Sequence, residues 1–246
     1  MKKFNFDTIA APRHFLLRRL HSLMGLTFGA YVTIHLLINA TGLWPRAYQQ
    51  NVDHIHNLEP MLPLIEITAI FIPLLIHALY GLYITKVGVK YNTLKYPYGS
   101  NVRYTLQRWA GVILFLFIAY HVITLHRWGL AKFNPHNLAY QSTAKAIQVN
   151  LAITLFYLLG TWSAVFHWAN GLWSAAIVWG LTTTAPAQKR WGQLCCLFGI
   201  TMLLLATTAW TAFAIRGNPN LPISQTQTDE RSNPALRGGE HGGIER

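Results

Sequence analysis

The chain has 246 residues, of which 52% are hydrophobic and only 11% charged, whereas a soluble domain carries about 25% charged residues. Its apolar residues are gathered into long runs, which excludes an ordinary soluble domain and marks a membrane protein. A formal net charge of +12 would suggest nucleic acid in a soluble chain. Here it fits basic membrane flanks, and with no RNA- or DNA-binding module visible the expected surroundings are lipid, not nucleic acid.

A basic arm, residues 1–19, precedes the first apolar run, 20–44. That run is too long for the h-region of a signal peptide and no clear A-x-A cleavage site follows, so it reads as a retained span. A hydrocarbon core of about 30 Å takes about 20 helical residues. Four further runs meet that length: 62–86, 105–126, 147–179 and 193–215. The run 147–179, fourth of the five, is overlong and is expected to run past the bilayer or to tilt. Polar connections such as 92–101 and 129–137 separate the runs. Cys195 and Cys196 are adjacent inside the last run and make no CxxC, haem-attachment or iron–sulfur spacing, so they read as small core residues. Residues 217–246, rich in Gly, Pro, Ser, Gln and charge, read as a disordered polar tail. The fold expected is all-α, a bundle of five transmembrane helices over residues 20–216.

Orientation follows from the basic residues. Lys2, Lys3, Arg13, Arg18 and Arg19, then Lys86, Lys90, Lys95, Arg103 and Arg108, then Lys189 and Arg190 fall on one side, twelve in all. Only Arg46, Arg127, Lys132 and Lys145 fall on the other, before the tail is counted. The N-terminus is therefore expected in the cytoplasm and the tail outside.

Each of the first four spans holds one deep histidine: His35, His77, His121 and His167. Histidine is costly at membrane depth, and imidazole is the common axial ligand of haem iron, two per b-type haem that only carries electrons. Depth pairs them. His35 lies about 13 Å and His121 about 9 Å from the outer face, while His77 lies about 14 Å from the inner face and His167 follows Lys145 by about 33 Å of helix, toward the inside. The expected sharing is His35 with His121 on an outer haem and His77 with His167 on an inner one. A lone membrane histidine more often bonds across helices or lines a polar cavity. Four at two matched depths, with none on the fifth span, favour ligation. His126 is the rival on span three; His14, His54, His56 and His136 lie in the arm or the connections, where solvation is the default. Gly25, Gly29, Gly81, Gly111, Gly160 and Gly171 give room for a flat macrocycle or for close helices.

Four stretches carry a family resemblance: Arg18-Arg19-Leu20-His21-Ser22-Leu23-Met24-Gly25; His77-Ala78-Leu79-Tyr80-Gly81; Gln107-Arg108 ahead of Tyr120-His121-Val122; and Phe166-His167-Trp168-Ala169-Asn170-Gly171-Leu172-Trp173. Together they resemble the b558-type, dihaem cytochrome b subunit of succinate dehydrogenases and fumarate reductases, the five-helix single-chain membrane anchor. The resemblance runs from about residue 15 to 213, and the Phe-His-x-x-Asn-Gly-Leu-Trp stretch is its most specific part. It implies that the four histidines are the axial ligands, paired as above. It further implies flavoprotein and iron–sulfur partner subunits on the cytoplasmic face of a bacterial inner membrane, with a quinone, expected to be menaquinone, as substrate in the membrane part. The tail lies beyond the matching part.

Haem propionates are anionic, and Arg18, Arg19, His21, Ser22 and Arg108 sit at the cytoplasmic mouth near the inner haem. The positive-inside rule would place arginines there in any case, so His21 and Ser22 are the more telling of the propionate candidates His21, Ser22, Arg19 and Arg108. Quinone reduction also needs protons. Near the outer haem the candidates are Asp53, His54, His56 and Glu66, with Glu66 and His54 taken as the protonating groups; Glu66 is the only carboxylate inside a span, and its plain reading is an interfacial or helix-capping carboxylate. A quinone site on the inner side, near Arg19 and Ser22, stays open. Two other readings are the cytochrome b of a membrane hydrogenase or formate dehydrogenase, whose histidines are spaced differently, and a non-redox proton-coupled transporter, which would lack stoichiometric haem.

Overall fold

The computed structural model describes residues 7–88, 95, 98–126, 129, 133–136 and 138–218, with side chains from residue 15 onward. The disordered tail expected over 217–246 falls outside them apart from its first two residues. Among the described residues all regular structure is helical, and five helices are long and apolar enough to cross a membrane: Phe15–Leu43, Leu62–Val87, Gly99–Leu125, Leu151–Val178 and Ala185–Ala214.

The first span is most of α1, Asp7–Ala40, prolonged by a 3-10 turn at Thr41–Leu43. A short helix, α2, Pro45–His56, begins with proline at its first position, where the missing N–H costs nothing. The second span runs through α3, Leu62–Ile65, a stretch of wider π-type turns at Glu66–Phe71, and α4, Ile72–Val87. The third is α5, Gly99–Leu125. A second short helix, α6, Ala139–Ile147, leads to α7, Leu151–Val178, and α8, Ala185–Ala214, closes the described chain.

The fourth apolar run is not one overlong span. It breaks between α6 and α7, where the Asn150 side-chain oxygen accepts the Ile153 N–H at 2.9 Å and caps the new helix. Gln148 holds the break against the end of α8, donating to the carbonyls of Phe213 at 2.7 Å and Gly217 at 2.8 Å. After α7, Gly180 takes a left-handed φ of 71° that turns the chain toward α8. The last helix begins eight residues ahead of the expected apolar run, at Ala185, because Thr184 caps it through the Ala187 N–H.

In the bundle, α7 packs on α5 and α8, and α1 packs on α4, α7 and α8. The outward faces are apolar, with Leu79, Leu116, Leu159 and Leu204 all exposed, as suits contact with lipid. Cys195 is buried and Cys196 exposed, so only the first is a core residue. Between helices the tryptophans use their indole N–H groups, which would be costly to leave unbonded in hydrocarbon. Trp210 donates to the Thr154 carbonyl, Trp191 to that of Leu172 and Trp173 to that of Gln188, tying α7 to α8 at both ends.

One end of the bundle is closed by α2 and α6. Tyr48, Val52, Ala139, Tyr140, Ala144 and Ile147 pack there with Phe117, Tyr157 and Phe213. Gln49, buried, accepts the Ala139 N–H at 2.9 Å and donates to the Pro135 carbonyl at 2.6 Å and to Asp53 at 2.8 Å. The Tyr48 hydroxyl meets that of Thr143 at 3.2 Å, and burial pushes its pKa up to about 12. This capped end contrasts with the opposite, basic end, which carries Arg18, Arg19, Arg103 and Arg108.

Candidate functional site

The helices α1, α4, α5 and α7 line a partly open central cavity of about 1730 Å³ that reaches from the basic end to the cap, with His35, His77, His121 and His167 all on its wall. Pockets for drug-sized ligands run to about 300–1,000 Å³, so there is space here for two large ligands. The histidines meet in twos. His35 faces His121 with ring centroids 5.8 Å apart and planes at 83°. His77 faces His167 at 5.9 Å and 87°. These are the pairs that depth along the spans puts together.

The pairs fit a bis-imidazole metal site. Metal–imidazole bonds of about 2 Å on either side of one ion put two ring centroids roughly 6 Å apart. At the basic end the tautomers suit ligation as well. The His77 Nδ1–H donates to the His21 carbonyl at 2.9 Å, and the His167 Nδ1–H to the Gln107 carbonyl at 3.1 Å. That leaves Nε2 as the nitrogen with a free lone pair on both rings. Two glycines make the space for these rings. A Cβ on Gly25 would stand 2.5 Å from His77 ring atoms, and one on Gly111 would stand 3.1 Å from His167. Gly29 and Gly160 serve the packing of Trp168 and Phe117 instead.

The basic mouth of the cavity is lined by Arg18, His21, Ser22, Arg103 and Arg108. His21 stacks flat on His77, centroids 4.0 Å apart and 6° between planes. Ser22 accepts the Trp179 indole N–H at 3.1 Å. Arg108 lies over the Tyr104 ring and donates to the Ile84 carbonyl. Arg19 does not line the cavity: its guanidinium lies 4.3 Å from the centroid of Phe15 and 5.3 Å from that of Trp179. Arg103, stacked on Trp173, was not singled out for this mouth by the sequence, where it stands among other flanking cations.

Toward the capped end, Glu66 lines the cavity, with a carboxylate oxygen 3.8 Å from His126 Nε2 and both side chains 17% exposed. His126, the rival for the ligand position, thus lies beside Glu66 and Phe71, while His121 faces His35. His56 reaches the lining, against His136; His54 is exposed on α2 and does not line the cavity.

An all-α membrane protein whose described residues form five spans and set two half-buried histidine pairs on one long cavity is built as a membrane cytochrome b. No family model matches the chain. It is 34% identical over 182 residues to the succinate dehydrogenase cytochrome b558 subunit of Bacillus subtilis (strain 168), a match that takes in 74% of this chain and 88% of that protein. The chain belongs to the succinate dehydrogenase cytochrome b558 subunit family.

Proposed function

We propose that this membrane cytochrome b anchors a succinate:quinone oxidoreductase and holds two b-type haems, His35 and His121 binding one iron and His77 and His167 the other. The observation that carries the reading is the pair of facing imidazole couples at opposite levels of one cavity. Bound there, such haems supply one-electron transfer between a partner subunit and a quinone, in succinate oxidation or, in reverse, fumarate reduction. The dicarboxylate chemistry belongs to flavoprotein and iron–sulfur partners docked on the cytoplasmic face.

In this reading the basic end faces the cytoplasm, with residues 1–19 as a cytoplasmic arm and residues 217–246 as a tail outside. Arg108, His21 and Ser22, joined by Arg18 and Arg103, supply cations and donors at the mouth for haem propionates. Arg19 braces Trp179, which in turn bonds Ser22. The quinone, menaquinone by preference, reacts near the capped end. Glu66 is the carboxylate on the cavity wall there and His126 its neighbour; His54, exposed to water, takes up protons from the surface.

The test is purification with the partner subunits and assay of succinate-driven quinone reduction. The complex should contain a flavoprotein and an iron–sulfur protein. Glu66→Gln should slow quinone reduction strongly while electron transfer from succinate to an artificial acceptor continues. Normal quinone reduction by that variant would remove Glu66 from the account.

A further inference from the structure

Gln107 and Asn170 bear no metal-binding group, yet the structure ties both to His167. Asn170 lies three residues after His167 on α7 and so shares its face. Gln107 lies four residues before Gly111, the point on α5 that comes against the His167 ring. The Gln107 amide N–H donates to the backbone carbonyl of His167 at 3.1 Å, which turns its oxygen toward Asn170, whose side-chain N–H it accepts at 2.8 Å. The two bonds fix both amides the same way round, since reversing either would set donor against donor or oxygen against oxygen.

Gln107 and His167 are joined a second time in the opposite sense. The His167 Nδ1–H donates to the Gln107 backbone carbonyl at 3.1 Å. Gln107 and His167 therefore clasp each other, each offering its carbonyl to the other's side chain, and Asn170 locks the clasp. The level of α5 against α7 is fixed at two points beside the ring.

We propose that Gln107 and Asn170 are positioning residues that set the orientation of the His167 imidazole and, through its Nδ1–H···O=C bond, its strength as a metal ligand. This rests on the reading of His77 and His167 as a haem site. An imidazole that donates its second N–H to a carbonyl is the more basic ligand and favours the oxidised metal. With the clasp broken, α5 and α7 relax at this level, the Nδ1 bond lengthens and the potential of that haem rises. Because the three groups act as one unit, breaking the clasp in two places should do no more than breaking it in one.

The experiment uses the complete complex carrying Gln107→Met, Asn170→Ala or both, with Asn170→Ser as a milder variant that keeps a hydroxyl donor. A pyridine haemochrome count comes first, and an unaltered complex without haem would overturn the haem reading itself. With haem present, the midpoint potential and low-temperature spectrum are followed for the component that His167→Ala removes. The expected result is an upward shift of equal size in both single variants and the double variant, a smaller one in Asn170→Ser, and no movement of the other haem. An unmoved potential in variants that keep both haems overturns the inference. So do shifts that add in the double variant or that move both haems alike, which is what a packing role would give.

Discussion

The two histidine pairs sit in the same cavity at nearly the same ring separation, but they are held differently. At the basic end both imidazole rings give their Nδ1–H to backbone carbonyls of a neighbouring helix, His77 to His21 and His167 to Gln107. At the capped end the His35 Nδ1 meets only the Tyr31 hydroxyl, at 3.4 Å, and the buried His121 Nδ1 has no hydrogen-bond partner. One pair is oriented by the backbone, which a mutation cannot delete; the other is oriented by packing against rings such as Phe117 and Tyr157. The tautomer is thus fixed by the fold at one end and left to the local environment at the other, which is also the end where Glu66 and His126 lie.

The largest effect is expected from the four histidines themselves. His77→Ala and His167→Ala should each abolish the same haem signal and leave the other, while His35→Ala and His121→Ala should abolish the remaining one. Optical and EPR spectra of the four variants check this, and a shared loss between His35→Ala and His77→Ala would dissolve the pairing.

A smaller but still severe effect should come from Gly25→Ala. Its Cβ would stand 2.5 Å from two His77 ring atoms, and overpacking of this kind costs about 1–3 kcal/mol. The variant should lose or distort the haem at the basic end and keep the one near the cap. Gly99→Ala is the control, because Gly99 is exposed at the start of α5, does not line the cavity, and has no atom within 4 Å of an added Cβ. It should change stability by less than about 0.5 kcal/mol and leave both haems in place. Haem content and thermal stability of the two variants decide the matter.

The smallest effect expected is that of Tyr31→Phe. A hydroxyl contact at 3.4 Å is at the weak end of the range for hydrogen bonds, so its loss should shift the potential of the haem near the cap slightly and the other not at all. A redox titration that found the larger movement at the basic end would mean that the two sites are coupled more tightly than their separate supports suggest.

Much of this arrangement was legible in the sequence, for a definite reason. Long apolar runs mark spans, and a rise of 1.5 Å per residue turns position along a span into depth, so His35 could be matched to His121 and His77 to His167 without coordinates. Depth says nothing of which way a side chain turns, and what depends on turning was missed. The break at Gln148 to Asn150 is hidden because Ile147 and Leu151 on either side continue the hydropathy, and only the cap geometry of Asn150 shows that one helix has ended. Helices α2 and α6 lie in stretches too polar to register as spans, so the cap read as plain connections. Arg19 looked like a propionate partner from its place at the membrane edge, whereas its guanidinium lies against Phe15 and Trp179. Gln107 and Asn170 stood inside the resembling stretches, but a clasp between residues about sixty positions apart exists only once α5 and α7 are side by side.

Whether the facing imidazole couples are haem sites is decided by the haem content of the purified complex, measured by pyridine haemochrome and set against the amount of this chain. About two haems b per chain are expected, falling to about one in each of the four single histidine variants. A complex that contains the chain and its partners but no haem, or whose haem content is unchanged when His35 or His167 is replaced, would contradict it.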